Sequence, residues 1–217
     1  MFRNLFIFDL DGVLTDTADY HFIAWQAIAT QLNISFNETD NEALKGIDRV
    51  NSLTWLLNKA NKTVSTEQFE QLLIQKNSHY NQLINTMSSA DLFDGVIDLF
   101  HQLQVRNSLI GLASASKNAH AVINKLGISH YFDFIADANT IKHNKPAPDI
   151  FLTVANQLHI PAHRCVGIED SVAGIDAINS AGMYAVGIGQ ASVLTQAKQV
   201  YTTTKAINLD AVINAIN

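Results

Sequence analysis

The sequence predicts an α/β fold: a doubly wound parallel sheet, with a small all-helical domain inserted after the first strand. Three observations lead there. Short, wholly apolar runs recur at Leu5–Phe8, Leu109–Ala113, Cys165–Ile168 and Ala185–Ile188, the pattern of strands buried on both faces. Stretches with helical spacing of apolar residues separate the later runs, as in right-handed βαβ units. One long segment, from about Ala18 to Met87, carries helical periodicity only.

Taken in chain order, Leu5–Phe8 is the first strand and runs straight into Asp9. Phe22, Trp25, Ile28, Ala29 and Leu32 then form one helical stripe. Leu53, Leu56, Leu57 and Ala60 form a second, and Phe69, Leu72, Leu73, Lys76 and Tyr80 a third. No alternation of period two intervenes, so residues 17–88 are expected to form a helical cap, and residues 1–16 with 89–217 the α/β core. Within the core, helical patterns run from Ala119 to Leu126 before Gly127, from Ile150 to Leu158 before Pro161, and from Val172 to Asn179 before Gly182. Gly127 and Gly182 stand where a helix C-terminus needs a positive φ.

With 217 residues, 47% hydrophobic and 16% charged, the chain can bury a substantial core. Its net charge of −6 leaves no general basic face for nucleic acid. No apolar stretch approaches the ~18 residues that cross a bilayer, and the first apolar run is too short for a signal peptide. The expectation is a cytoplasmic monomer with neither membrane nor nucleic acid as partner. Cys165, the single cysteine, cannot form an intrachain disulfide or a cysteine-rich metal site, and its apolar neighbours favour a structural thiol. His159 and His163 are four apart, but Pro161 breaks the helix that would align them on zinc.

The chemistry concentrates at strand ends. Asp9 and Asp11, two residues apart, point to the same side at the C-terminal edge of a parallel sheet, where ligands bind in such folds. Alone, Asp-x-Asp-Gly reads equally well as a solvated turn. Ile168-Glu169-Asp170-Ser171 repeats the arrangement, however, and hard oxygen ligands from two strand ends suit Mg²⁺. Ser114 ends a third strand with a hydroxyl, and Lys145-Pro146 supplies a cation on a restricted chain. Together these are the parts needed to hold a metal and a transferring phosphoryl group.

Four stretches, FDLDGVLTDT, LASAS, KPAPDIF and IEDSVAGIDA, resemble the motifs of the haloacid dehalogenase superfamily in the family's order. The resemblance implies Asp9 as nucleophile, Asp11 as general acid/base, and Ser114, Ala115 and Lys145 around the transferring phosphate. It also implies a Mg²⁺ site made by Asp9, Asp170 and the Asp11 carbonyl, with Glu169 in support. Dehalogenating members lack an aspartate at the Asp11 position, so its presence favours phosphoryl chemistry. Aspartate at its reference pKa near 3.9 is a poor acid at neutral pH, so closure and a neighbouring phosphate are expected to raise Asp11.

The acceptor is set elsewhere. Thr17, His21, Trp25, the loop Lys45-Gly46-Ile47-Asp48-Arg49, Lys76, and Ser116-Lys117-Asn118 resemble the substrate-contacting positions of the superfamily's hexose-phosphate mutases. That resemblance implies a Mg²⁺-dependent intramolecular phosphotransferase. It would interconvert β-D-glucose 1-phosphate and D-glucose 6-phosphate through an aspartyl-phosphate and a 1,6-bisphosphate. The alternative is a phosphatase of a small sugar phosphate, with water as acceptor; a receiver-like signalling module would share the acidic strand ends but lack the cap. Arg49 can hold a distal phosphate bidentately, and Lys117, at a helix start, can assist. His21 reads either as an aid to Asp11 or a substrate hydroxyl, or as a merely hydrogen-bonded histidine. Trp25 reads either as a pocket wall or as core. Asp48 stands where those mutases commonly have serine; it would pair with Arg49 and weaken its hold on phosphate, or alter sugar preference.

Overall fold

The computed structural model describes residues 3–44 and 47–216. Its centre is a six-stranded, all-parallel sheet of order β3-β2-β1-β4-β5-β6. The strands are β1 (Leu5–Phe8), β2 (Leu109–Leu112), β3 (Phe134–Ile135), β4 (Cys165–Glu169), β5 (Tyr184–Ile188) and β6 (Gln199–Tyr201). β1 lies between β2 and β4, with Leu5 opposite both Leu109 and Cys165. The strand order reverses beside β1, so the crevice of a doubly wound sheet opens at its C-terminal end.

Alternation along β1 divides the core. Phe6 and Phe8 face one cluster, built on α5 (Val96–Val105), α6 (Ala119–Lys125) and α9 (Leu209–Ile216). Leu5 and Ile7 face the other, on α7 (Asp149–Gln157) and α8 (Val172–Ser180). Each such fully buried side chain contributes about 1.5–3 kcal/mol relative to exposure, which is why four consecutive apolar residues fix the strand. Cys165 belongs to the second cluster, and burial pushes its thiol up to about 12, which makes it inert.

Between β1 and α5 the chain forms α1 (Ala18–Gln31), α2 (Glu38–Glu42), α3 (Arg49–Lys59) and α4 (Thr66–Ile84), the helical insert anticipated from periodicity. Sharp helix starts explain the boundaries. Asn37 with Asp40, and Ser65 with Gln68, form capping boxes on α2 and α4, and Asp48 caps α3. Trp25, Ile28, Leu53, Leu56, Leu57 and Leu72 give the insert an apolar cluster of its own. The strands of chain entering and leaving the insert run side by side. Thr15 bridges both Asp11 and Leu92, its Oγ1 donates to Asp91 O at 2.7 Å, and Phe93 N donates to Leu14 O at 2.9 Å.

Among the described residues, α5 and α9 were not anticipated although both are amphipathic, and β3, β6 and α2 have no counterpart in the apolar pattern. β3 and β6 are short and half-buried, at the two sheet edges where one flank needs no apolar cover. α2 is five polar and acidic residues, ETDNE, placed by its capping box rather than by a stripe. Gly127 and Gly182 take φ of 72° and 71°, as expected of helix C-termini.

Candidate active site

Asp9 continues the sheet by one residue, its N–H donating to Ile168 O at 2.9 Å. The chain then turns at Gly12, with φ 75°. A Cβ there would lie 2.1 Å from Asp170 Oδ2, so glycine is what lets the Asp170 carboxylate approach the turn. Glu169 is wholly buried. One of its oxygens accepts from Lys145 Nζ and Ser171 Oγ, each at 3.0 Å, and the other from Asp170 N at 2.7 Å. Asp9, Glu169 and Asp170 each offer a carboxylate oxygen within 4.8 Å of the other two. Three converging hard oxygens match the donor chemistry of a divalent cation. The Asp11 carboxylate is not in that cluster, because it accepts from Thr17 Oγ1. Any share of Asp11 in metal binding therefore falls to its backbone carbonyl.

Lys145 Nζ sits between Asp9 Oδ1 at 2.5 Å and Glu169 Oε1 at 3.0 Å. Burial alone would lower it, but the two carboxylates outweigh burial and hold it charged, above its ordinary value. Burial raises Asp9 above the ordinary carboxylate value, Lys145 opposing and Glu169 and Asp11 adding to the rise. Burial also raises Asp11, against the Thr17 hydrogen bond, Lys145 and Lys76. Asp11 is thus raised as expected, but burial does it without a neighbouring phosphate.

Ser114 follows the end of β2 and is buried, its Oγ accepting from Ser116 N at 3.1 Å. α6 opens at Ala119 with Asn118 as its N-cap, so Lys117 precedes the helix rather than beginning it. Ser114 through Asn118 line a cavity of ≈ 760 Å³ that also meets Asp9, Asp11 and Asp170. The insert closes the other side with Thr17, His21, Trp25, Arg49 and Lys76. Lys45 and Gly46 lie outside the described residues. The remaining anticipated positions line the cavity except Asp48, and Lys145 and Glu169, which stand behind Asp9.

Lys76, on α4, is nearly fully buried. Its Nζ lies 2.7 Å from His21 Nδ1 and over the rings of Trp25 and Tyr80, at 5.1 and 4.6 Å. Burial, with Arg49 adding to it and Asp11 opposing, pushes Lys76 down to about 7. Burial followed by Lys76 and Arg49 keeps His21 well below the ordinary histidine value, so its imidazole is neutral near pH 7. Trp25 proves to be both core and wall: it belongs to the insert's cluster and lines the cavity.

Asp48 makes no hydrogen bond to Arg49, although its charge opposes the lowering of that guanidinium by burial. One of its oxygens accepts from Val50 N at 2.9 Å and Asn51 N at 3.2 Å, the other from Asn51 Nδ2 and, at 3.0 Å, Asn144 Nδ2. Arg49 Nη1 instead donates to Leu73 O at 3.3 Å. Sequence reasoning missed Asn41, Ser52 and Phe93 on the cavity wall. Each is a single residue on a helix or loop, with no local pattern to mark it. Asn77, which stands beside Lys76 in the stretch that resembles the mutases, accepts from Asn118 Nδ2 at 2.8 Å.

The chain is 44% identical over 206 residues to the β-phosphoglucomutase of Bacillus subtilis strain 168, covering 94% of this chain and 91% of that one. It is 31% identical over 185 residues to the fructose-1-phosphate phosphatase YqaB of Escherichia coli K12, covering 84% and 94%. The crystal structure of β-phosphoglucomutase from Clostridium difficile superposes with a TM-score of 0.96 at 44% identity, covering 100% of this chain and 98% of that one. A profile match over residues 4–182 runs from the strand that ends in Asp9, past the one that ends in Glu169, and to the close of α8. By that match and those identities, this chain belongs to the haloacid dehalogenase-like hydrolase family.

Proposed function

We propose that the chain interconverts β-D-glucose 1-phosphate and D-glucose 6-phosphate through a phosphoenzyme at Asp9 and β-glucose 1,6-bisphosphate. The observation that carries this reading is one cavity facing both the Asp9–Asp11 carboxylates and a second set of cations, Arg49, Lys76 and Lys117. A bisphosphate has two anionic ends to place, whereas hydrolysis of one phosphate needs a single anion site. The identity to the Bacillus subtilis β-phosphoglucomutase supports the same substrate class.

In the proposed mechanism an Asp9 oxygen attacks phosphorus in line, and the bond from phosphorus to the leaving sugar oxygen breaks. Asp11, raised by its burial, gives its proton to that oxygen. In the return step a sugar hydroxyl attacks the aspartyl-phosphate, passes its proton to Asp11 and restores Asp9. Ser114 and the Ala115 backbone hold phosphoryl oxygens, and Lys145 balances their charge. Arg49, with Lys117 and Asn118, holds the distal phosphate, while Lys76 and neutral His21 meet sugar hydroxyls. Asp9, Asp170 and the Asp11 carbonyl are the proposed Mg²⁺ ligands, with Glu169 in support. Bound there, Mg²⁺ would offset the negative charge gathered between nucleophile and phosphate.

Residues 17–88 are proposed to act as a cap domain on a core of 1–16 and 89–217, excluding water while Asp9 is phosphorylated. One chain supplies every group named, so the proposed active unit is a monomer. A single buried, unpaired thiol accords with a cytoplasmic setting.

A coupled assay with β-glucose 1-phosphate, Mg²⁺ and a trace of the bisphosphate tests the reading. Glucose 6-phosphate should accumulate with little free phosphate. Free phosphate without glucose 6-phosphate would overturn it in favour of a sugar-phosphate phosphatase, the activity named for the Escherichia coli relative.

A further inference from the structure

Asp48 and Asn144 are 96 positions apart, yet Asn144 Nδ2 donates to Asp48 Oδ2 at 3.0 Å. Asp48 stands on the insert, immediately before Arg49. Asn144 stands on a loop of the core, immediately before Lys145, whose Nζ is pinned between Asp9 and Glu169. A single hydrogen bond thus ties the chain carrying one active-site cation to the chain carrying another. Asp48 is buried, and its second oxygen accepts the backbone N–H groups of Val50 and Asn51 at the start of α3. The helix, with Asn51 Nδ2 on the other oxygen, therefore fixes the direction in which the carboxylate points.

Helix capping alone does not call for a carboxylate. A serine would cap α3 about as well, but its single oxygen, one bond shorter, cannot serve the helix and Asn144 together. The oxygen that the backbone cap does not use, Oδ2, is shared between Asn51 Nδ2 and Asn144 Nδ2, and through the latter it reaches the core. Asn118 and Asn77 make another side-chain bond between core and insert, at 2.8 Å, beside the Thr17–Asp11 bond and the packing of Ala24, Tyr80 and Ile84 against the core.

We propose that Asp48 and Asn144 form a strut that seats the insert on the core while Asp9 carries its phosphate, and so favours the sugar hydroxyl over water as acceptor. Neither residue lines the cavity; both are positioning residues. The inference rests on the mutase reading above. A charge-assisted bond shared between two mobile parts acts on their separation, because when the parts separate water replaces the lost partner. Loss of the strut therefore opens the site to water without removing any group that touches phosphate or sugar.

The test compares Asn144→Ala, Asp48→Ser and the double variant with the parent enzyme, in full-length protein with Mg²⁺. The readouts are glucose 6-phosphate formed, inorganic phosphate released and Tm. The share of turnovers ending in free phosphate should rise about tenfold in each single variant, the scale of one charge-assisted bond. Because the two residues act through one bond, the double variant should be no worse than either single. The Tm of Asn144→Ala should stay near that of the parent, since a change confined to stability would not alter the partition. If the parent makes glucose 6-phosphate and both single variants partition as it does, the strut is overturned and the mutase reading stands. If Asp48→Ser alone raises KM, Asp48 acts on Arg49 and the strut is again overturned. If the parent releases only phosphate, both readings fall together.

Discussion

Lys76 is a cation held where an apolar side chain would be more stable. Its ordinary pKa is 10.5 and in the fold it is pushed down to about 7. Between those two values the unfolded chain binds more protons than the folded one, so this residue makes stability rise with pH across the window. Below pH 7 the full penalty of burying it applies. Lys76→Met is therefore expected to raise Tm by about 3–5 °C at pH 6, with the gain fading toward pH 10. Turnover should fall in the same variant, because His21 loses its partner and the cavity a cation. Thermal melts across pH check the first half and the coupled assay the second; a gain independent of pH would show that Lys76 is not carrying the charge assigned to it.

At the scale of the element, the turn from β4 into α8 decides whether the acidic cluster exists. Gly174 lies in the first turn of α8, and a Cβ there would stand 1.7 Å from Glu169 Oε1. Helix propensity alone says that Gly174→Ala should stabilise α8 by about 1 kcal/mol. Glu169 has no room to yield, because it is buried and bonded to Lys145, Ser171 and the Asp170 backbone. The variant is therefore expected to lose stability and, if the acidic cluster holds the proposed Mg²⁺, to bind it about tenfold more weakly, the cost of misplacing a ligand's support, as titration calorimetry would show. The element scale is also where sequence reading succeeded and failed most clearly. β1, β2, β4 and β5 were legible because burial on both faces writes an unbroken apolar run. β3 and β6 were not, since an edge strand of two or three half-buried residues carries too little signal to separate from a loop.

For the whole molecule, the apolar clusters predict an order of opening. α1 and α4 contribute Ala24, Tyr80 and Ile84 to the cluster that includes β1. The apolar side chains of α3 pack only within the insert's own cluster. Amides of α3, such as those of Leu56 and Leu57, should exchange by a smaller opening than those of α4, and far faster than those of Phe6 or Ile168. Hydrogen exchange followed residue by residue would show this, and equal protection in α3 and β1 would contradict it. The Asp9 side of the site was readable at this scale because Asp9, Ser114 and Asp170 follow strand ends and Lys145 precedes α7, each within a recognisable motif. The meetings of Asp48 with Asn144 and of Asn77 with Asn118 were not. They join distant parts of the chain through single polar residues, and only packing reveals that they touch.

Thr15 has one more consequence. Its bridges to Asp11 and Leu92, with the Phe93–Leu14 bond, stitch the two connections to the insert into a single ribbon. Two separate tethers would let the insert slide, tilt and twist. A stitched pair leaves mainly rotation about one axis, so fewer motions have to be frozen when the insert settles. Because Thr15 bridges Asp11 and Thr17 Oγ1 donates to the Asp11 carboxylate, any rotation of the proposed cap about that ribbon would also re-aim that carboxylate.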